Sequence, residues 1–237
     1  MENRIVLGID NSMDFLSLAL SVEDELLEER HTRNKKAPSE ILPGEISCIL
    51  SNNGYSINDV NLVVVTLGPG SFTGIRVGLA FCKGLNAGGA TPVIGVPTLD
   101  VLASPFSFME GCYILPLIDA KKGEVFYSIY HVSEGVLRQL TDFASIKPDR
   151  LPDVIKTPCI CFGTGAKLCE SFLTHKDDLQ IIKKGFIKVS GEALIKEGLK
   201  RFDSQTASDN DLLEPVYCRK SEAEIKFNIV IEPSKKQ

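Results

Sequence analysis

Two carboxylates and one glycine-rich turn are the groups in this 237-residue chain whose type and spacing could do chemistry. Asp10 closes the apolar run of residues 4–9 and precedes the polar pair Asn11-Ser12; Asp119 closes the apolar run of residues 113–118 and precedes Ala120-Lys121-Lys122-Gly123. An acidic pair flanking a cleft could hold Mg²⁺ and position a water. The glycine-rich stretch GPGSFTGIRVG, residues 68–78, comes close to two phosphate-binding patterns and meets neither. A dinucleotide fingerprint needs G-x-G-x-x-G, but the third glycine arrives one residue late, at Gly74. A Walker loop must close with Gly-Lys-Ser/Thr, and Gly74 is followed by Ile75-Arg76. The positive end of a helix capped by Ser71 could still attract an anion. Gly163-Thr164-Gly165 is too short to be diagnostic. His31, His131 and His175 are dispersed and fit no metal spacing. The cysteines at 48, 82, 112, 159, 161, 169 and 218 contain no CxxC pair and read as free thiols of a reducing compartment.

The elements that must position these groups follow from periodicity. Residues 4–9 form a buried strand, 15–22 alternate with period two as a half-buried strand, and 26–32 complete a meander. In residues 38–51, Leu42, Ile46, Ile49 and Leu50 recur at spacings of three and four, which predicts a helix stopped by Asn52-Asn53-Gly54. A strand over 62–67 and a helix over 71–87 follow. The second half repeats the order: strands at 113–118, 125–132 and 136–140, a short helix near 148–154, a strand at 159–162, helices at 165–173 and 191–201, a polar loop over 203–211, and a last short strand over 215–218. Two similar βββαβα units, each with a carboxylate after its first strand, form the layout of the actin-like, sugar-kinase-like ATPase fold. Lobes of residues 1–107 and 108–237 are expected.

Gly70, Gly74, Gly78 and Cys82 recur every fourth residue along one side of the second helix. Each interior glycine costs about 1 kcal/mol relative to alanine, so a gain from close approach of another backbone is expected. Spacing leaves open whether that backbone belongs to this chain or to a partner. Phe72, Ile75 and Leu79, with Arg76 and Lys83 at the margin, occupy the opposite face.

Composition narrows the function classes. The chain is 43% hydrophobic and 24% charged, which excludes wholesale disorder, collagen and coiled coil. A net charge of −5 argues against autonomous nucleic-acid binding, which calls for a basic face. Without a signal-peptide core or a membrane-length apolar run, a soluble cytoplasmic protein is expected.

The segments PSEILPGEISCIL, GPGSFTGIRVGLAFCKGLNAG, GVPTLDVLA and LIDAKKGEVFYSIY, in that order and spacing, resemble the TsaB (YeaZ) family. The likeness is strongest over residues 4–103, continues to Tyr130, weakens after Asp142, and returns in EPVYCRKSEAE. It implies an α/β chain with the actin-like ATPase (ASKHA, ribonuclease-H-like) fold that carries no catalytic residue and no metal ligand of its own. Such a chain binds a TsaD-type catalytic paralogue, works with a TsaE-type ATPase, and serves the threonylcarbamoylation of the adenosine beside the anticodon of tRNA. Homodimers in isolation, tRNA contact only through the complex, and ATP and metal in the partner subunits are likewise implied. Carried onto this chain, the docking helices span residues 39–51 and 71–87. Their expected contact residues are Leu42, Ile46, Ile49, Phe72, Gly74, Arg76, Gly78, Leu79 and Lys83. Asp10, Ser12 and Asp119 would line a vestigial nucleotide cleft. TsaD-like catalytic chains hold a metal through HxxxH, and the corresponding stretch here, VPTLDVLA, has no histidine. Pro38 stands where the family often has histidine, and Phe81 replaces a smaller residue. The competing expectation is an active ATP-dependent phosphotransferase or ATPase of the same fold using Asp10 and Asp119. A metal-dependent peptidase lacks any ligand cluster in the sequence.

Overall fold

The buried first strand, β1 (Ile5–Asp10), lies at the centre of a five-stranded sheet because chain pairs with it on both sides. The computed structural model describes residues 4–33, 37–88, 91–204 and 213–219. β2 (Phe15–Val22) and β3 (Glu25–Arg33) add an antiparallel meander. β4 (Leu62–Thr66) and β5 (Val93–Val96) add parallel strands on the other side, giving the order β3-β2-β1-β4-β5. α1 (Pro38–Asn52) and α2 (Phe72–Ala87) connect them. Gly54 ends α1 with φ +80, and the Tyr55 N–H donates back to Leu50 O at 2.9 Å. That is the left-handed cap expected from Asn-Asn-Gly. Ser71 caps α2 as its position suggested, its Oγ accepting from Gly74 N at 3.2 Å.

The second half contains α3 (Thr98–Ala103), β6 (Tyr113–Asp119), β7 (Val125–Tyr127), β8 (Tyr130–Ser133), β9 (Val136–Gln139) and β10 (Ala144–Ile146). A 3₁₀ turn at Pro148–Asp153 leads to β11 (Cys159–Phe162), α4 (Ala166–Leu173), β12 (Leu179–Ile182) and α5 (Gly191–Asp203). The strand expected over 125–132 is broken in two. Both pieces pair antiparallel with β6, β7 through Leu117–Asp119 and β8 through Tyr113 and Ile114. At the break, the buried Ser128 hydroxyl donates to Thr141 O at 2.7 Å, and Ile129 N donates to Thr141 Oγ1 at 2.9 Å. Side-chain bonds there take the place of a ladder rung. With β7 and β8 counted as one strand, and β9 and β10 as another, the second sheet repeats the order of the first. Two such sheets form the actin-like, ribonuclease-H-like α/β fold. The helix expected between the third and fourth strands of the second unit is reduced to the 3₁₀ turn.

Residues 215–218 form no strand; Val216 N bonds to Leu67 O at 2.8 Å without a ladder around it. The expected 203–211 loop lies mostly outside the described residues.

A single buried cluster joins the sheets. It draws Val6, Ala19 and Val64 from the first, Ile114, Ile118 and Phe162 from the second, and Leu99, Leu102, Leu194 and Ile195 from α3 and α5 between them. The chain crosses from one sheet to the other between Val96 and Tyr113. A division at 107/108 separates the sheets, but α5, from the second half, packs on β1, β2, β4 and β5. α1 and α2 cover the opposite face of the first sheet over a second cluster built on Leu7, Ile9, Leu18, Val63 and Val65.

Candidate functional site

The turn between β1 and β2 and the turn between β4 and α2 interlock. Ser71 N donates to Ser12 O at 2.7 Å, and Asn11 Nδ2 donates to Gly74 O at 3.2 Å. A Cβ added at Gly70 would stand 2.1 Å from Ser12 O, and one at Gly74 would stand 2.0 Å from Asn11 O. Both are far inside van der Waals contact, so these glycines are small because this chain's own backbone presses on them. That settles which backbone approaches Gly74. The Ser71 N–H that an anion at the start of α2 would require is already engaged by Ser12, and the Gly74 N–H by the Ser71 hydroxyl.

Several of the expected contact residues are placed differently from the expectation. Leu42, Ile46, Ile49 and Leu79 are at most 4% exposed, because they form the stripe by which α1 and α2 hold β1, β2 and β4. Gly74 and Gly78 are also buried, and a Cβ at Gly78 would make ordinary contact with Val65 at 3.6 Å. The apolar periodicity that marks these helices records their inner face, and all six of these residues lie against this chain's own sheet and turns. Phe72, Arg76 and Lys83 are exposed. The outer face of the helix pair is made instead of small and polar residues: Gly44, Ser47 and Cys48 on α1, and Thr73, Ala80, Gly84 and Ala87 on α2. Nothing lies within 4 Å of the place a Cβ would take at Gly44 or Gly84. Ile41, Val77, Phe81 and Leu85 are half-buried along its margin. The signal for this face was present in the sequence as Ala80, Gly84 and Ala87 at spacings of four and three, beside the more conspicuous Gly70-Gly74-Gly78 series.

The carboxylates occupy equivalent places at the ends of β1 and β6 but differ chemically. Asp10 is fully buried. Its Oδ1 accepts from Ser12 N at 2.9 Å, from the Ser12 hydroxyl, and from Thr66 Oγ1 at 2.8 Å, while Oδ2 is buried without a partner among the described residues. Burial raises its pKa above the ordinary carboxylate value, against the lowering effect of those bonds. Asp119 is half-exposed and turned onto its own loop, accepting from Lys121 N at 2.8 Å and pairing with Lys121 Nζ at 3.2 Å. A lysine ammonium on one carboxylate, and a solvent-sealed oxygen on the other, do not fit a Mg²⁺ shared between them. Among the described residues no group of three or more His, Cys, Asp or Glu side chains could hold a metal ion. A cavity of about 230 Å³ opens elsewhere, between the β2–β3 turn and α5, and Asp10, Ser12 and Asp119 do not line it.

A buried charge with one unpartnered oxygen makes a stability prediction. Because the folded-state pKa of Asp10 is raised, its ionisation opposes folding fully at pH values above that pKa; the penalty shrinks as pH falls below it and vanishes below the ordinary carboxylate value of the unfolded chain. Asp10→Asn keeps the acceptor for all three bonds and removes the charge. It is expected to raise the Tm at pH 8 by roughly 2–4 °C, about 1 kcal/mol for a chain this size. The gain should shrink toward zero near pH 4 in thermal melts. A lowered Tm at pH 8 would mean that a counter-charge sits at Oδ2.

The VPTLDVLA stretch forms β5's last residue and α3, where Asp100 accepts from Tyr130 Oη at 2.6 Å and pairs with Arg201 of α5. It therefore holds the two halves together. His31 bridges Ser17 and Glu29 within the first sheet, His131 stacks on Tyr113 with centroids 4.6 Å apart, and His175 is exposed. Burial pushes the Cys82 thiol up to about 12, well away from nucleophilic use. No helix among the described residues is long and apolar enough to cross a membrane.

Against known proteins, a family model described as "TsaD: tRNA N6-adenosine threonylcarbamoyltransferase" matches residues 26–227. The tRNA threonylcarbamoyladenosine biosynthesis protein TsaB of Bacillus subtilis (strain 168) is 28% identical over 229 residues, covering 94% of this chain and 97% of the relative. The protein of the same name from Escherichia coli (strain K12) is 28% identical over 230 residues, covering 92% and 96%. Among solved structures, YeaZ from Pseudomonas aeruginosa superposes with a TM-score of 0.74 at 21% identity, over 90% of this chain and 100% of that one. That last likeness is one of fold.

Proposed function

Since the chain belongs to the TsaD-type threonylcarbamoyltransferase family, in its TsaB (YeaZ) branch, we propose that it serves tRNA threonylcarbamoyladenosine biosynthesis as a non-catalytic scaffold subunit. It docks a TsaD-type catalytic paralogue through the outer face of α1 and α2, and a TsaE-type ATPase joins that pair. Nucleotide and metal belong to those partners, and tRNA is reached only through the complex. The observation that carries this proposal is the outward side of the helix pair. Glycines there leave open space at Gly44 and Gly84, half-buried apolar side chains border it, and among the described residues no part of this chain covers it. A partner helix can approach such a surface closely, over the roughly 1,600 Å² that a stable interface buries in total. The closed turns around Asp10 and Asp119 support silence in the chain itself.

In isolation, the same face serves a homodimer, so homodimer and heterodimer exclude each other. Gly84→Trp tests this. The site is exposed and helical, so the monomer should melt within about 2 °C of wild type. Co-elution with the catalytic paralogue on size exclusion should be lost, and the isolated chain should elute as a monomer. Wild-type co-elution retained by Gly84→Trp would reject this docking face. Turnover of ATP-Mg²⁺ by the isolated wild-type chain would reject catalytic silence.

A further inference from the structure

Arg76 is held in an unusual way for an exposed cation. Its guanidinium carbon lies 3.8 Å from the centroid of Phe72, one turn earlier on α2. Its Nε donates to Tyr217 Oη at 2.9 Å, and the Phe72 and Tyr217 rings stack with centroids 5.3 Å apart. Tyr217 is itself fixed by what flanks it. Leu213 is buried in the core beneath α1 and α2, Val216 N bonds to Leu67 O, and Arg219 pairs with Glu124 at 3.5 Å. The Arg76 side chain is thus pinned on one face and at one edge, and no ion pair engages it among the described residues. Phe72 is 39% and Tyr217 45% exposed, large apolar exposures for rings that could have been buried.

Resting on the docking proposed above, we infer that Tyr217 positions Arg76 so that its two Nη groups receive a carboxylate of the catalytic partner, which makes residues 213–219 a third element of the docking face. Charge favours that occupant. The residues Phe72–Ala87 include Arg76 and Lys83 and no Asp or Glu, in a chain whose net charge is −5. The exposed side of α2 therefore carries two cations and no carboxylate on an acidic protein, and complements an acidic surface. A guanidinium held at Nε and stacked on a ring loses little freedom when a carboxylate arrives, and its planar fork donates two parallel bonds to the carboxylate oxygens. Arginine and tyrosine so placed are characteristic interface anchors.

Calorimetric titration of the purified catalytic paralogue against wild type, R76A, R76K, Y217F and the R76A/Y217F double variant tests this. R76A should weaken Kd about 10–100-fold, with R76K nearly as damaging because an ammonium cannot supply the fork. Y217F keeps the stack and loses the bond to Nε, and should weaken Kd roughly 3–10-fold. In the double variant, Y217F should add nothing to R76A, since its effect passes through Arg76. Raising salt should weaken wild type more than R76A. All four variants should keep the wild-type Tm. A wild-type chain that forms no complex overturns the docking proposal itself. A complex indifferent to R76A, or full additivity in the double variant, overturns only this inference, as would an R76A chain that loses self-association while keeping the heterodimer.

Discussion

Gly74→Ala is expected to abolish stable folding, although the same exchange in most helices would be favourable by about 1 kcal/mol. The added Cβ would lie 2.0 Å from Asn11 O, and the atom it meets is backbone that cannot swing aside. Relief requires moving the β1–β2 turn, and with it the Ser71–Ser12 bond, the Asn11–Gly74 bond and the Ser12 contacts of buried Asp10. A loss of about 4 kcal/mol or more is a large part of the 5–15 kcal/mol that holds an ordinary domain together. Gly84→Ala, where no atom lies within 4 Å, should instead raise the Tm by a few degrees. Thermal melts followed by circular dichroism compare the two directly. Equal, cooperative melts at or above the wild-type Tm for both would show that the two turns do not interlock as described.

Ile46→Asp carries the second large effect. Ile46 is 3% exposed among Leu42, Ile49 and Leu18 in the core beneath α1. Removing a buried aliphatic side chain costs roughly 2–5 kcal/mol. Putting an unpaired carboxylate in its place adds several more at neutral pH. No cooperative unfolding transition should remain at pH 7. Ser47→Asp, one residue on and exposed, should leave the Tm nearly unchanged. The contrast separates damage to the fold from damage to docking, which any binding assay of Ile46 variants would otherwise confuse. A folded Ile46→Asp chain that merely fails to bind its partner would restore Ile46 to the outer surface.

The local features were the legible ones. Period-two alternation found β2, the Ser71 cap and the Asn-Asn-Gly stop placed the ends of α2 and α1, and the carboxylates were found at matching strand ends. Each of these rests on contacts within a few residues. An amphipathic stripe, however, tells only that a helix has an inside, and does not say whether that inside meets this chain's own sheet or a partner. The Gly70-Gly74 spacing signalled a close backbone, but its identity depends on a turn 60 residues away in sequence. The break at Ser128 depends on Thr141, a residue with no periodic signature. Tyr217 reaches Arg76 across 141 residues, and nothing in either local sequence announces that contact.

α5 lies on β1, β2, β4 and β5, and Leu213 sits beneath α1 and α2. Without α5, Val6, Ala19 and Val64 of the first sheet would therefore lose the helix that covers them. A prematurely terminated product would display that bare apolar sheet to chaperones and proteases, not a finished surface to an assembly partner.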